Sequence, residues 1–185
     1  LLDWQDEVYR TAIVQDYSLN VSGATDNVSY LFSGGYMNQE GLATGTGYKR
    51  FSFRANVESK INKYLSIGMN LAPTYIVTDG SGRANGKDSQ AHKTLSSAPV
   101  SEPGVGYMTY VQPNGRYGWA DTTSSPSYIL NTDISQNRTL RMVGNAFLRI
   151  TPFQDFRVEL SAAANYYDLD GNKYSFSSSG KGWAK

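Results

Sequence analysis

Two glutamates, one histidine and a cluster of aromatic residues are the parts of this sequence from which chemistry could be built. Glu58 and Glu159 are the kind of carboxylate pair that glycoside hydrolysis uses, one as acid and the other as base or nucleophile. Both stand on the polar rows of alternating segments with nothing in the sequence to mark either as a catalytic acid, so a hydrolase is not expected. His92 is the sole histidine, too few for a zinc triad or a His-based catalytic triad, and reads as a loop residue. Gly41 to Lys49 has the glycines of a phosphate loop but lacks the Gly-Lys-Ser/Thr ending and a following helix pattern, so it reads as a loop. Asp168-Leu169-Asp170-Gly171-Asn172 lacks the twelfth-position Glu of a calcium loop and reads as a turn. Neither catalysis nor a cofactor is expected.

Binding is the better prospect. Tyr107, Tyr110, Tyr117, Trp119 and Tyr128 share one long stretch with Asn114, Arg116 and Asp121. Aromatic faces beside hydrogen-bonding side chains are what a sugar or peptide needs for stacking and orientation. Tyr107, Tyr110, Tyr117, Trp119 and Asp121 are therefore the candidate substrate-binding residues, with folding of the loop onto itself or contact with a partner as the plainer alternative. A second set, Arg50, Arg54, Asn56, Asn70, Arg141, Asn145, Arg149 and Arg157, falls on the polar rows of the strands and is expected to face a water-filled interior.

The segments that must hold these residues alternate with period two. Phe51, Phe53, Ala55 and Val57 interleave with Arg50, Ser52, Arg54, Asn56 and Glu58; Leu65, Ile67, Met69 and Leu71 interleave with Ser66, Gly68, Asn70 and Ala72. Strands are expected at about 15–24, 28–38, 48–58, 64–77, 138–150 and 156–168, with a further one beginning at Lys173. Leu31, Met37, Val143 and Phe147 break the pattern by falling on polar rows. Asp3 is a candidate N-cap for a short helix before the first strand.

Composition narrows the class. Seventeen basic against sixteen acidic residues give a net charge of +1, which supplies no nucleic-acid surface. Without cysteine there is neither a disulfide nor a thiolate metal site. No apolar run is long enough for a transmembrane helix, but fourteen tyrosines and eighteen glycines suit a membrane β-barrel with aromatic girdles.

The connections carry the decision. Short turns at 24–27, 59–63 and 151–155 alternate with longer connections at 38–47 and 79–137. An antiparallel meander puts all the short turns at one rim and all the long loops at the other, as in outer-membrane barrels. Tyr17, Tyr36, Tyr48, Phe51, Tyr75 and Tyr166 fall near the long-loop ends, and Tyr30, Tyr64, Phe153 and Phe156 near the short-turn ends. The expected fold is all-β, an antiparallel up-and-down transmembrane β-barrel. Six strands cannot close one, so a larger barrel is expected around them.

These residues also resemble the SusC/RagA-like TonB-dependent transporters of Bacteroidetes outer membranes. The resemblance rests on Asp3-Trp4-Gln5-Asp6-Glu7-Val8-Tyr9-Arg10-Thr11-Ala12, on Leu19-Asn20-Val21-Ser22-Gly23, on Tyr30 to Gly41 and on Gly47 to Asn56, and returns over 138–172. It implies a barrel of about 22 strands around a plug domain, residues 1–14 as a plug-to-barrel junction, and 15–185 as partial barrel with an extracellular loop at 79–137. It also implies import of glycan or peptide oligomers with a SusD-like lipoprotein, powered by the TonB complex. No TonB box, plug or final barrel strand is recognisable, so a piece of something longer is expected, reaching TonB through a region before Leu1. The polar-row arginines and asparagines would then meet cargo or, as the favoured role, the plug. A soluble carbohydrate-binding β-sandwich and a surface adhesin barrel are the alternatives.

Overall fold

The computed structural model describes residues 3–81, 90–96, 110–111, 117–118, 133–153 and 155–175. A short helix, α1 (Trp4–Val8), precedes four strands, β1 (Val14–Ala24), β2 (Val28–Glu40), β3 (Gly47–Asn62) and β4 (Leu65–Ser81). Helix α2 (Gln90–Ser96) and the two-residue strands β5 (Tyr110–Val111) and β6 (Tyr117–Gly118) follow, and β7 (Asp133–Phe153) and β8 (Phe156–Ser175) complete the described chain. Asp3 caps α1 as its residue type predicts, its carboxylate accepting from the Gln5 N–H at 2.8 Å.

The six long strands form one antiparallel sheet in the order β1-β2-β3-β4-β7-β8, every neighbour being the next long strand in sequence. Registers run from Val14↔Gln39 in the first pair to Asp133↔Ser175 in the last, with shifts only near the short turns, between Lys60 and Asn62 in β3 and between Ile150 and Phe153 in β7. Residues 25–27 and 63–64 close two short turns, and between β7 and β8 Asp155 takes the left-handed conformation at φ 71° that a tight connection demands. The 41–46 connection and α1 lie at the opposite rim, where α1 touches α2. There Arg10 and Thr44 donate backbone hydrogen bonds to Leu42 and Val8.

Strand ends depart from expectation. β4 reaches Ser81 and β7 starts at Asp133, so the long connection shrinks from 79–137 to 82–132. Asp168 to Asn172 is not a turn: it pairs with Leu140 to Gln136 inside β8, and Lys173 to Ser175 end that strand instead of opening another. Ladder hydrogen bonds to an already extended partner outweigh the turn preference of Asp, Gly and Asn. His92 sits in α2 and not in a loop. Tyr48, expected among the girdle aromatics, pairs with Gln39 and Thr78 on the same row as Arg50, and so belongs to the polar face.

A conventional core is missing from this sheet. Among the described residues the buried apolar side chains are Trp4, Val8 and Ala55. The apolar rows are open: Leu19 is 71% exposed, Leu160 59% and Phe53 45%. A contiguous apolar face of this extent is not left to water.

Candidate functional site: the two faces of the wall

Strand parity sorts the side chains. On one face Tyr17, Tyr36, Phe51, Tyr75 and Leu140 lie in register across five strands, with Tyr17 and Tyr36 stacked and Tyr36 against Phe51 at 4.9 Å. One step towards the long loops the same face turns largely polar, with Gln15, Asn38, Lys49, Arg138 and Asp170 in register around Val77. Towards the short turns it ends near Tyr64 and the stacked pair Phe153 and Phe156. At about 3.3 Å per residue the row from Leu65 to Tyr75 is about 33 Å long, and a tilt of about 35–45° leaves a band about 25 Å tall. That matches the hydrocarbon layer that outer-membrane strands cross.

The opposite face is polar and interconnected. All eight interior candidates lie on it: Arg50, Arg54, Asn56, Asn70, Arg141, Asn145, Arg149 and Arg157. Asn56, Asn70 and Asn145 are register partners on three successive strands, and the Asn70 side-chain amide donates to Asn145 at 2.9 Å. Nearer the short turns Arg149 donates from Nη1 to Glu58 at 2.9 Å and from Nε to Glu159 at 3.1 Å, tying β3, β7 and β8 together across β4. Its guanidinium lies 5.0 Å from the centre of the Phe147 ring. Arg50 faces Asp16 at 4.0 Å. Arg54, Arg141 and Arg157 form no ion pair among the described residues.

Glu58 and Glu159 are thus the two partners of one arginine, a role that their separation in sequence conceals. Phe147, an exception on the polar row, is explained by Gly68, its register partner: the ring occupies the space where a Cβ would stand. The pairing of an aromatic with a cross-strand glycine is the missed signal, and it was readable only with the register known. Of the loop candidates, Tyr107, Trp119 and Asp121 lie outside the described residues. Tyr110 and Tyr117 fall on the β5–β6 hairpin, where Tyr110 pairs with Gly118 and Val111 with Tyr117, so the two tyrosines are brought close along the backbone.

A meander of long strands, apolar outside between aromatic rims and polar inside, defines a stretch of the wall of a transmembrane β-barrel. Known proteins place it further. No family model matches the chain. TonB-dependent receptor P3 of Formosa agariphila is 33% identical over 105 residues, 56% of this chain and 10% of the receptor. Receptor P26 of the same organism is 24% identical over 96% of this chain and 17% of its own length. TonB-dependent receptor SusC of Bacteroides thetaiotaomicron is 33% identical over 55 residues, 30% of this chain and 6% of SusC. The solved RagAB peptide importer, in its open-open state, superposes with a TM-score of 0.73 over 93% of this chain and 19% of its own, at 23% identity. The chain is recognisably SusC/RagA-like, similar in sequence to TonB-dependent receptors and matching a RagA-type barrel wall in fold. It spans less than a fifth of the length of the curated relatives it matches.

Proposed function

We propose that the chain forms part of the barrel of an outer-membrane TonB-dependent importer of glycan or peptide oligomers, working with a SusD-like surface lipoprotein. The exposed apolar band, about 25 Å tall and backed by a polar face, is the observation that carries this reading. It counts against a sandwich, in which Leu19, Phe53 and Leu160 would need a second layer over them. The similarity to TonB-dependent receptors supports import as the activity, and the RagAB peptide importer supports an oligomeric cargo.

In this reading the short turns lie in the periplasm and the 82–132 connection outside the cell. Tyr107, Tyr110, Tyr117, Trp119 and Asp121 contact cargo there by stacking and hydrogen bonding. Arg54, Arg141 and Arg157, free of ion pairs within the wall, offer their charges to whatever fills the lumen, a plug domain or passing cargo. Residues 1–14 join the barrel to the preceding part of the receptor.

Migration in detergent gels tests the barrel: the protein should run faster unheated than boiled. A detergent-free soluble monomer with no heat-dependent shift overturns the reading. Identification of the oligomer that co-purifies with the protein and its lipoprotein partner then decides between glycan and peptide. Alanine at Tyr110 and Tyr117 should weaken its retention without altering heat-modifiable migration.

A further inference from the structure

The outward face carries three glycines within its apolar band, and they are not alike. At Gly23 the Tyr30 ring fills the place of a side chain, and at Gly144 the Leu71 methyl stands 3.2 Å from where a Cβ would be. At Gly34 a Cβ would meet nothing within 4 Å. Glycine inside a strand weakens it and often marks the close approach of a ligand. Here it floors an open groove of about 530 Å³, walled by Tyr17, Tyr36, Phe51, Phe53, Pro73 and Tyr75.

Above the groove, towards the long loops, the next outward row is Gln15, Asn38 and Lys49 in register. Lys49 is two residues beyond Phe51, about 7 Å along the strand. It forms no ion pair among the described residues. Two carboxylates line the rim together with Lys49: Glu40 pairs with Arg10 at 3.9 Å, and Asp79 accepts from the Gln136 amide at 2.7 Å. An apolar trough thus opens at membrane-surface height onto a cation that has Asn38 and then Gln15 on one side and Val77 on the other.

We propose that this groove is a binding site for a phosphorylated membrane lipid of the leaflet on the long-loop side, with an acyl chain over Gly34 and the phosphate at Lys49. The inference rests on the membrane-barrel reading. Its logic is complementarity at two levels: hydrocarbon against aromatic walls, and phosphate oxygens against Lys49 with Asn38 and Gln15 as further donors.

The test uses the protein purified in detergent, stripped of lipid and offered dioleoyl phosphatidic acid or dioleoylglycerol, with retained lipid counted by native mass spectrometry. The wild-type protein should retain phosphatidic acid about fivefold better than diacylglycerol, a difference of about 1 kcal/mol for one lysine near a phosphate. Lys49→Glu should abolish that preference. Gly34→Trp, for which the groove has room, should reduce retention of both lipids. Equal retention of the two lipids by the wild type, or either variant behaving like it, overturns the site. Heat-modifiable migration is read in parallel for every variant. Its loss in the wild type would instead count against the barrel itself.

Discussion

Met69 and Asn70 are consecutive residues of β4 that meet different solvents. Met69 points outward among Val57, Ile67 and Leu71 and is half exposed, whereas Asn70 points inward and donates to Asn145 on the neighbouring β7. The outward face is held by little within the protein beyond its aromatic contacts, and depends on a hydrocarbon surround. The inward face supplies its own stabilisation, through the asparagine pair and the Glu58–Arg149–Glu159 cluster. A wall built this way has its hydrophobic driving force outside the chain and its specific polar contacts inside, the inverse of a soluble domain.

The contrast breaks most sharply at mid-band. Met69→Arg should destabilise the lipid-embedded barrel by about 2–4 kcal/mol, the cost of a cation near the bilayer midplane. Asn70→Arg, one residue on, should cost no more than about 1 kcal/mol, since it loses one partly wetted hydrogen bond. Denaturant titration of the refolded protein in vesicles measures both, and equal losses would contradict the assignment of faces. Next in size is Gly68→Ala. A Cβ there enters the space of the Phe147 ring, and such overpacking costs about 1–3 kcal/mol. In a double-mutant cycle with Phe147→Ala the two changes should be strongly non-additive. Asn145→Ala should cost about 0.5–1.5 kcal/mol, towards the lower end because Asn70 can turn to water.

The same contrast explains what the sequence could and could not say. Within the band, period two is unbroken from Phe51 to Glu58 in β3, from Leu65 to Leu71 in β4 and from Phe156 to Ser161 in β8, so six strands, their order and their faces were legible from such residues. On β8 the aromatic row itself ends in Asp168, and beyond that row the outward positions become Gln136, Arg138 and Asp170. Both faces then meet water, the alternation vanishes, and β7 and β8 run on unseen. Strand ends outside a membrane are set by ladder pairing, which a single strand's pattern does not display. Glu58 and Arg149 are 91 residues apart, so their ion pair followed only from the register. The loop aromatics were legible as a composition and not as a geometry, because no periodic element fixes where they stand.

The smallest shift is expected at Arg149, and it separates a structural cluster from a binding site. Its guanidinium is shared between Glu58 and Glu159, so Arg149→Ala leaves two carboxylates on the inward face with no cation between them. Partial exposure screens that repulsion, and the fall in denaturation midpoint should shrink as salt is raised. If the cluster only braces β3, β7 and β8, neutralising all three in Glu58→Gln, Arg149→Met, Glu159→Gln should restore the midpoint and leave transport intact. If instead the cluster docks a domain inside the lumen, the triple variant should regain stability and still fail to transport. Measuring the midpoint and uptake on the same proteins distinguishes the two, because bracing is a property of the wall alone and docking also requires what the wall encloses.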